Sequence, residues 1–350
     1  MDLEPTEDQA ALRGAVAEWL DHNCSMDVVR GVAEGTTDHD VLWPAMVELG
    51  WPALTVPEPD GGLGFGIVEM TLVAEELGRH VAPGPLLATA IAVPFLVGAA
   101  SEGAVALRAA IAGGASATVG VAERADGWAP EALTAGASHK RWVLDAHAAT
   151  HALAIVASGD GFDLVDVTAA EASPIVGLDP TRRLAELSLG GGTDPLHHFA
   201  ADEVRFAIAH GTVLVAAETV GCCQAAFDLT VDYAKVREQF DRPIGAFQAV
   251  KHQLADAYVQ VEKARALAHL AAVTIAEDDE RRATTVAMAK AAAGDCQAIV
   301  AEKVIQVHGG IGYTWEHDAH LYVKRMKAND LLFGTARHHR RHIAEATLAA

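Results

Sequence analysis

The sequence is poor in aromatic residues, in cysteine and in positive charge. Only 5% of its 350 residues are Phe, Trp or Tyr, and four are cysteine. The 26 Lys and Arg are outnumbered by 47 Asp and Glu, which gives a formal net charge of −21. Nucleic acids and anionic membranes are bound through clustered Lys and Arg. The charge balance therefore argues against both as partners, and any polyanionic ligand requires a locally basic pocket.

Long apolar runs and secretion signals are lacking as well. The longest apolar run, near residues 88–100, contains Pro94 and is shorter than the roughly 20 residues that a membrane span requires. The N-terminus is acidic, whereas a secretory signal begins with basic and then apolar residues. The cysteines show no C-x-x-C spacing. We therefore expect a reduced, cytoplasmic protein without a membrane span.

The residues that are present favour packed helices around a smaller β region. Hydrophobic residues make up 51% and charged residues 21%, which excludes disorder as a global description. Apolar residues recur at helical spacing up to about residue 100 and again after about residue 204, with short β-branched runs between. We predict a mainly α protein with a central β domain. Its expected parts are an N-terminal helical domain over 1–112, a small β-barrel or sandwich over 113–203 and a C-terminal four-helix bundle over 204–350.

Several local elements can be placed more closely. Thr6 followed by Gln9 predicts a helix N-terminus with a capping box. A helix over 283–307 is expected to end at Gly309 with a left-handed cap. Another helix is predicted over 67–77. Strands are predicted over 117–121, 142–145, 152–156 and 162–167.

Glu218 is a candidate general base. It stands among small apolar residues of a predicted helix, in the segment 215–221. A buried carboxylate surrounded by methyl groups has a raised pKa, which suits a base. An exposed or salt-bridged Glu218 is the alternative, and the residues alone leave both open.

Two C-terminal segments are candidate binding elements. Arg237 and Phe240 close a predicted helix, where an Arg can bind a phosphate and a ring can stack on a heterocycle. The alternative is a cation that compensates the helix dipole beside a core Phe. Gly309 and Gly310 let the backbone approach a ligand closely, although a simple helix cap explains them too. Neither a dinucleotide-binding G-x-G-x-x-G after a strand nor a P-loop is present.

Other polar clusters point to no chemistry. His317 and His320 flank Asp318 without an evident third ligand, so no metal site is predicted. The basic run 337–342 is expected to balance the acidic surface or a helix C-terminus. No G-x-S-x-G is present, and cysteines in apolar helical surroundings have a raised pKa, which argues against nucleophilic catalysis.

Taken in order, the segments resemble the acyl-CoA dehydrogenase family over essentially the whole chain. The two most specific are YAKVREQFDRPIGAFQ at 233–248 and QVHGGIGYT at 306–314. KRWVLD at 140–145 is similar to the family's β-domain strand that passes the flavin. The N-terminal part of the resemblance lies in ELGW at 48–51, VPE at 56–58, GGLG at 61–64 and EELGR at 75–79.

The resemblance implies α,β-desaturation of an acyl-CoA thioester to a trans-2-enoyl-CoA, with FAD as cofactor and an electron-transfer flavoprotein as electron acceptor. It also implies a tetramer, a dimer of dimers, with FAD held between subunits. Some positions match contacts to the FAD of a neighbouring subunit, namely Arg237, Gln239, Phe240, Gln306, Gly309 and Gly310. Thr335 matches a residue near the flavin of its own subunit, and Trp142 lies in the strand that passes it.

The chain departs from the family where the catalytic Glu is expected. Phe333 stands at that position and cannot accept a proton. A second branch of the family carries its base at a position that aligns near Gly211, and Glu218 is the nearest carboxylate, two helical turns further on. The loop 123–127 lacks the usual proline and serine. These departures resemble the short subunits of actinobacterial heterotetrameric acyl-CoA dehydrogenases, some of which act on steroid side chains. The expectation is an active homotetramer or a heterotetramer subunit, and the alternative is a non-catalytic partner subunit.

Overall fold

The computed structural model describes residues 4–125, 127–190 and 194–349. The N-terminal third is helical, and α1 begins with the predicted capping box, since the Thr6 side chain accepts from the Gln9 amide and the Gln9 side chain accepts from the Thr6 amide. The helix predicted over 67–77 is α4, which extends to Arg79. The N-terminal helices are α1 (Glu7–Asn23), α2 (Met26–Glu34), α3 (Trp43–Glu48), α4 (Ile67–Arg79), α5 (Leu86–Val97) and α6 (Glu102–Ala112).

Strands occupy the middle of the chain, and all four predicted strands are confirmed within a few residues. One sheet has the order β1-β3-β4-β7, with β1 parallel to β3 and the other pairs antiparallel, and the second has the antiparallel order β2-β6-β5. The strands are β1 (Ala117–Gly120), β2 (His139–Leu144), β3 (His151–Ser158), β4 (Gly161–Asp166), β5 (Glu171–Ile175), β6 (Leu184–Ser188) and β7 (Pro195–Phe199).

The C-terminal part returns to helices, so the predicted class, mainly α with a central β region and C-terminal helices, is confirmed. The predicted helix over 283–307 is α9. It ends at His308, and Gly309 has the expected positive φ of 64°, although its ψ of −145° lies outside the left-handed helical region. The elements are α7 (Ala201–Val236), β8 (Glu238–Gln239), β9 (Arg242–Pro243), α8 (Gln248–Ala276), α9 (Arg282–His308), α10 (Ala319–Leu331) and α11 (Ala336–Ala349).

The chain divides into two compact units. The first, here called the β unit, comprises Gly31–Met70 and Pro83–Leu214. The second, here called the helical unit, comprises Met1–Arg30, Thr71–Ala82 and Val215–Ala350. The predicted three-domain boundaries, 1–112, 113–203 and 204–350, stay predictions.

In the β unit, the core lies between the two sheets. Because side chains alternate across a strand, one face of each sheet carries small and β-branched residues into this core. Buried members are Val143 from β2, Ala152 and Ala154 from β3, Val165 from β4, and Ala185 and Leu187 from β6. The β region is therefore a small sandwich.

In the helical unit, α4 and α7 touch through glycine. A Cβ atom at Gly78 would lie 2.0 Å from the carbonyl oxygen of Glu218, and one at Gly221 would lie 1.8 Å from that of Glu75. No side chain fits at either position. Much of α9 is likewise built from buried alanine, which lets its neighbours approach closely.

The helix α7 is long and apolar enough to cross a membrane by length and composition alone. In its most apolar 18-residue window, however, 83% of the residues are buried inside the protein. The apolar surface of α7 is therefore occupied by the protein's own core.

The four cysteines are buried thiols, and none forms a disulfide among the residues that the structure describes. Burial raises the pKa of Cys24 to about 12 and raises the pKa of Cys223 as well. Both shifts agree with the sequence-based expectation that these thiols are poor nucleophiles.

The basic run 337–342 was expected to balance the acidic surface or a helix C-terminus, and the second possibility is wrong. It lies in the first half of α11 rather than at its end. Arg340 pairs with Asp295, and Arg341 lies 3.9 Å from Glu345, so both face carboxylates.

Candidate functional site

A short hairpin follows α7 and carries three of the predicted cofactor contacts. Glu238 pairs with Pro243, and Gln239 pairs with Arg242. Phe240 and Asp241 form the turn, with φ of 55° and 62°. A two-residue hairpin turn of this kind requires positive φ at both central residues, which is unfavourable for a bulky side chain such as Phe. Backbone strain of this type is found mainly at functional sites.

The hairpin side chains face outward. Phe240 is 85% exposed, so the alternative in which it is a core residue is wrong. Arg237 is exposed and forms no ion pair with any residue that the structure describes, while its backbone is fixed by bonds from Arg237 N to Tyr233 O (2.8 Å) and from Ile244 N to Arg237 O (2.8 Å). The backbone of Arg237 is thus fixed, while its exposed guanidinium donors are available to an anion.

The second segment is a bare turn at the end of α9. Gly309 and Gly310 are exposed, and a Cβ atom at either position would meet nothing within 4 Å. A ligand can therefore reach this backbone without hindrance. Gln306, also exposed, lines an adjoining cavity of about 420 Å³ together with Tyr313 and Lys327.

Two aromatic rings join these segments. The ring of Tyr233, one turn before Arg237, stacks on that of His308 with centroids 4.4 Å apart and planes at 28°. The His308 Nδ1 donates to the carbonyl oxygen of Val304 at 2.8 Å. Burial is the largest effect on His308 and lowers its pKa. The hydrogen bond to the backbone acts in the opposite direction, and the nearby His317 lowers the pKa further, so the ring is neutral at pH 7. The hairpin and the glycine turn are consequently fixed to each other within the helical unit.

Trp142 lies at an irregularity of β2, in the β unit. The register shifts between Lys140 and Val143, and Trp142 has a φ of 53°. Because of this bulge, Lys140 and Val143 are both buried, while Arg141 and Trp142 between them are more exposed. The Lys140 Nζ bonds Glu123 Oε1 at 2.6 Å, an ion pair that the sequence did not reveal.

Thr335 follows a strained turn and caps α11. Phe333 and Gly334 have φ of 56° and 92°. The Thr335 Oγ1 accepts from the His338 amide at 3.3 Å, as the residue before a helix does. Phe333 is buried, and its phenyl ring offers no proton acceptor. Residues 333–335 are called the 333–335 turn below.

Glu218 is salt-bridged, which favours the second of the two alternatives that the sequence left open. Its Oε1 accepts from Arg325 Nη1 at 2.9 Å and its Oε2 accepts from Asn329 Nδ2 at 2.8 Å. Sequence reasoning missed both partners, because they are 107 and 111 residues away and no local pattern marks them. Protonating Glu218 would break this ion pair.

Metal ligands are not gathered anywhere in residues 4–125, 127–190 and 194–349, where no group of three or more His, Cys, Asp or Glu is placed to hold an ion. His317 and His320, singled out in the sequence, contact aromatic rings instead. The ring centroids of His317 and His308 are 4.4 Å apart, and those of His320 and Trp315 are 4.6 Å apart.

The sequence and the fold are similar to those of known proteins. Family models described as "Acyl-CoA dehydrogenase, N-terminal domain" and "Acyl-CoA dehydrogenase, C-terminal domain" match residues 6–104 and 204–348. Over 339 residues the chain is 35% identical to acyl-CoA dehydrogenase IpdE2 of Mycobacterium tuberculosis, covering 96% of each protein. The fold matches the crystal structure of the ChsE4-ChsE5 complex from Mycobacterium tuberculosis with a TM-score of 0.89, 26% identity and 100% of both chains covered. It matches a variant of the Tcur3481-Tcur3483 steroid ACAD with a TM-score of 0.87, 26% identity and 98% of both chains covered.

Proposed function

The chain belongs to the acyl-CoA dehydrogenase family, and on that premise we propose that it is a subunit of an FAD-dependent enzyme that desaturates an acyl-CoA thioester to the trans-2-enoyl-CoA. The observation that carries the proposal is the stack of Tyr233 on His308. The stack brings three features to one part of the helical unit: an exposed Arg that has no ion pair among the described residues, an exposed ring and a bare glycine backbone. These are the groups needed for a phosphate, a heterocycle and a close backbone contact.

The residues present fit FAD. Arg237 would hold the pyrophosphate and Phe240 would stack on the adenine. The bare backbone of Gly309 and Gly310 would let the cofactor approach closely. All of them are exposed, which supports contact with the FAD of a neighbouring subunit in a homotetramer or heterotetramer. Thr335 and Trp142 are the proposed contacts to FAD on the chain's own side. When bound, FAD supplies a hydride acceptor for the substrate Cβ–H.

The α-proton needs a separate acceptor, and this chain offers a poor one. Phe333 replaces the expected carboxylate, and both oxygens of Glu218 are already engaged. We therefore favour a heterotetramer in which the partner subunit supplies the base, over a homotetramer that uses Glu218. Phe333 also favours a second candidate function, a partner subunit with no redox role, but such a subunit has no need of the Arg237 hairpin.

A substrate class is proposed from the name of one matched structure. One matched structure is a steroid ACAD, which supports a CoA thioester of a steroid-derived acid as substrate. Electron transfer to an electron-transfer flavoprotein and a cytoplasmic location are proposed on the same family grounds.

The visible absorption spectrum of the purified chain, with its flavin-to-protein ratio, tests the proposal. We expect little flavin in the chain purified alone and a flavin band after co-expression with a second acyl-CoA dehydrogenase subunit. A stoichiometric flavin band in the chain alone would favour the homotetramer. Absence of flavin in every assembly would contradict FAD dependence.

A further inference from the structure

We propose that Glu218, Lys290, Arg325 and His339, with Asn329, form a buried frame that holds the 333–335 turn, so that Glu218 is a positioning residue and not a base. The turn matters to catalysis only if Thr335 lies at bound FAD, so this part of the inference rests on the proposed function. The frame itself is independent of it.

The turn needs such support because its backbone is strained. Phe333 and Gly334 are both in the left-handed region. A Cβ atom at Gly334 would lie 2.7 Å from His338 Cδ2 and 3.0 Å from His339 Nε2, and the φ of 92° is itself unfavourable for any other residue, so a substitution there would be strained and would displace these rings. Strained conformations of this kind persist only where the surrounding structure fixes them.

His339 holds the turn directly. Its Nε2 lies 2.8 Å from the carbonyl oxygen of Phe333, and because a carbonyl only accepts, this nitrogen carries the proton. Burial, and then the nearby Lys290, lowers the pKa of His339 to about 3. The ring is therefore neutral, with one N–H, and that N–H is committed to Phe333.

Lys290 fixes the chain just before the turn. Its Nζ donates to the carbonyl oxygens of Asn329 at 3.0 Å and Asp330 at 3.2 Å. Both carbonyls belong to the last turn of α10. Carbonyl groups at a helix C-terminus have no N–H donor within the helix, and a cation is favourable beside them. Lys290 is itself buried, so this contact is part of the core.

Glu218 anchors the same end of α10 from α7. Asn329 is the link, since its carbonyl accepts from Lys290 while its side-chain Nδ2 donates to Glu218. Arg325, one helical turn earlier, donates to Glu218 and, at 3.3 Å, to the carbonyl oxygen of Ala82. A continuous set of hydrogen bonds thus runs from Glu218 to the residues that lead into the turn.

The test compares four variants by amide hydrogen exchange of residues 333–339, which requires no FAD. In E218Q and K290M we expect exchange there to be at least tenfold faster. E218Q/R325M should recover most of the protection, since it removes both buried charges rather than leaving one unpaired. E75Q is the matched control, because Glu75 is an equally buried, ion-paired glutamate of the helical unit that is not part of the frame. In each variant the exchange of residues 333–339 is compared with that of its most protected core amides, so that a global loss of stability is separated from a local one.

Unchanged exchange of residues 333–339 in E218Q and K290M would overturn the proposal of a frame. An equal local loss of protection in E75Q would overturn it as well. If E218Q does not fold, K290M decides alone by the same criterion. These outcomes do not depend on whether the protein binds FAD, so a failure of the frame and a failure of the proposed function are separable.

The role of Glu218 is decided in the flavin-loaded assembly. We expect E218Q to weaken FAD binding at least tenfold and to retain kcat at saturating FAD within a few fold of wild type. Unchanged FAD binding with kcat abolished would make Glu218 the base and would overturn its assignment as a positioning residue.

Discussion

Glu218 and Arg325 form an ion pair at 2.9 Å in which both side chains are only 1% exposed, although 107 residues separate them in sequence. Removing one partner of such a pair leaves an uncompensated buried charge, while removing both is often tolerated. A carboxylate that looks like an isolated base in the sequence is therefore part of the protein's internal support.

Arg237→Ala should weaken FAD retention by about 10- to 100-fold. The lost contact is a charge-assisted hydrogen bond to phosphate, worth about 1.5 to 3 kcal/mol. Equilibrium dialysis of the flavin-loaded assembly measures it. The control is Lys235→Ala, two residues away, whose ammonium is paired with Asp232. Equal FAD retention in both variants would contradict the phosphate contact.

Phe240→Gly should lower the affinity for FAD without destabilising the fold. Glycine tolerates the φ of 55°, so the free energy of unfolding should stay within about 1 kcal/mol of wild type or rise slightly. FAD affinity should nevertheless fall, because stacking of a base on an aromatic ring is worth about 1 to 3 kcal/mol. Urea unfolding and flavin titration measure the two effects. Val236→Ala, an exposed neighbour, should change neither, and undiminished FAD affinity in Phe240→Gly would refute the stacking role.

Lys140→Met should destabilise the protein by about 3 to 5 kcal/mol, since it leaves Glu123 partly buried without its cation. The double variant Lys140→Met/Glu123→Gln should recover most of that loss. Urea unfolding midpoints give the comparison, with Lys235→Met at an exposed ion pair as the control. A double variant no more stable than the single one would show that the pair is not the reason for the loss.

Acid should remove a stabilising contribution from Glu75. Burial alone raises the pKa of this carboxyl, but hydrogen bonds and charge from His269, Arg265 and Arg13 outweigh burial and lower it to about 2 from 4.5. The unfolded chain therefore binds more protons than the folded one between pH 4.5 and 2, so stability falls as the pH falls through that window.

The Glu75 contribution amounts to about 3 kcal/mol, and Glu75→Gln should lack it. The difference in unfolding free energy between wild type and this variant, measured from pH 6 downward, should therefore shrink in acid. A difference that is constant with pH would contradict the lowered pKa.

The sequence predicts what depends on neighbours in the chain. The Thr6 cap, the four strands and the end of α9 are set by local capping, periodicity and glycine, and all are found near their predicted places. For the basic run 337–342, only the helix-C-terminus alternative is wrong, because the cap at Thr335 starts α11 just before the run.

Contacts between distant segments cannot be predicted from such local patterns. The pairs Glu218–Arg325, Lys140–Glu123 and Tyr233–His308 join residues whose spacing follows no period. The exposure of Phe240 was equally hidden, because strands of two residues are too short to show an alternation. Motif similarity identified the candidate site, and only the fold shows how its parts are held.

The contact of Gly78 with α7 and of Gly221 with α4 sets the spacing of this helix pair for any chain that keeps the same packing. A methyl group at either position would collide with a backbone carbonyl, which cannot move aside as a flexible side chain can. Relatives in which these two helices can be aligned can therefore be sorted by the residues at these two positions. Those with glycine at both can retain the spacing, and those with a larger residue must have moved the two helices apart.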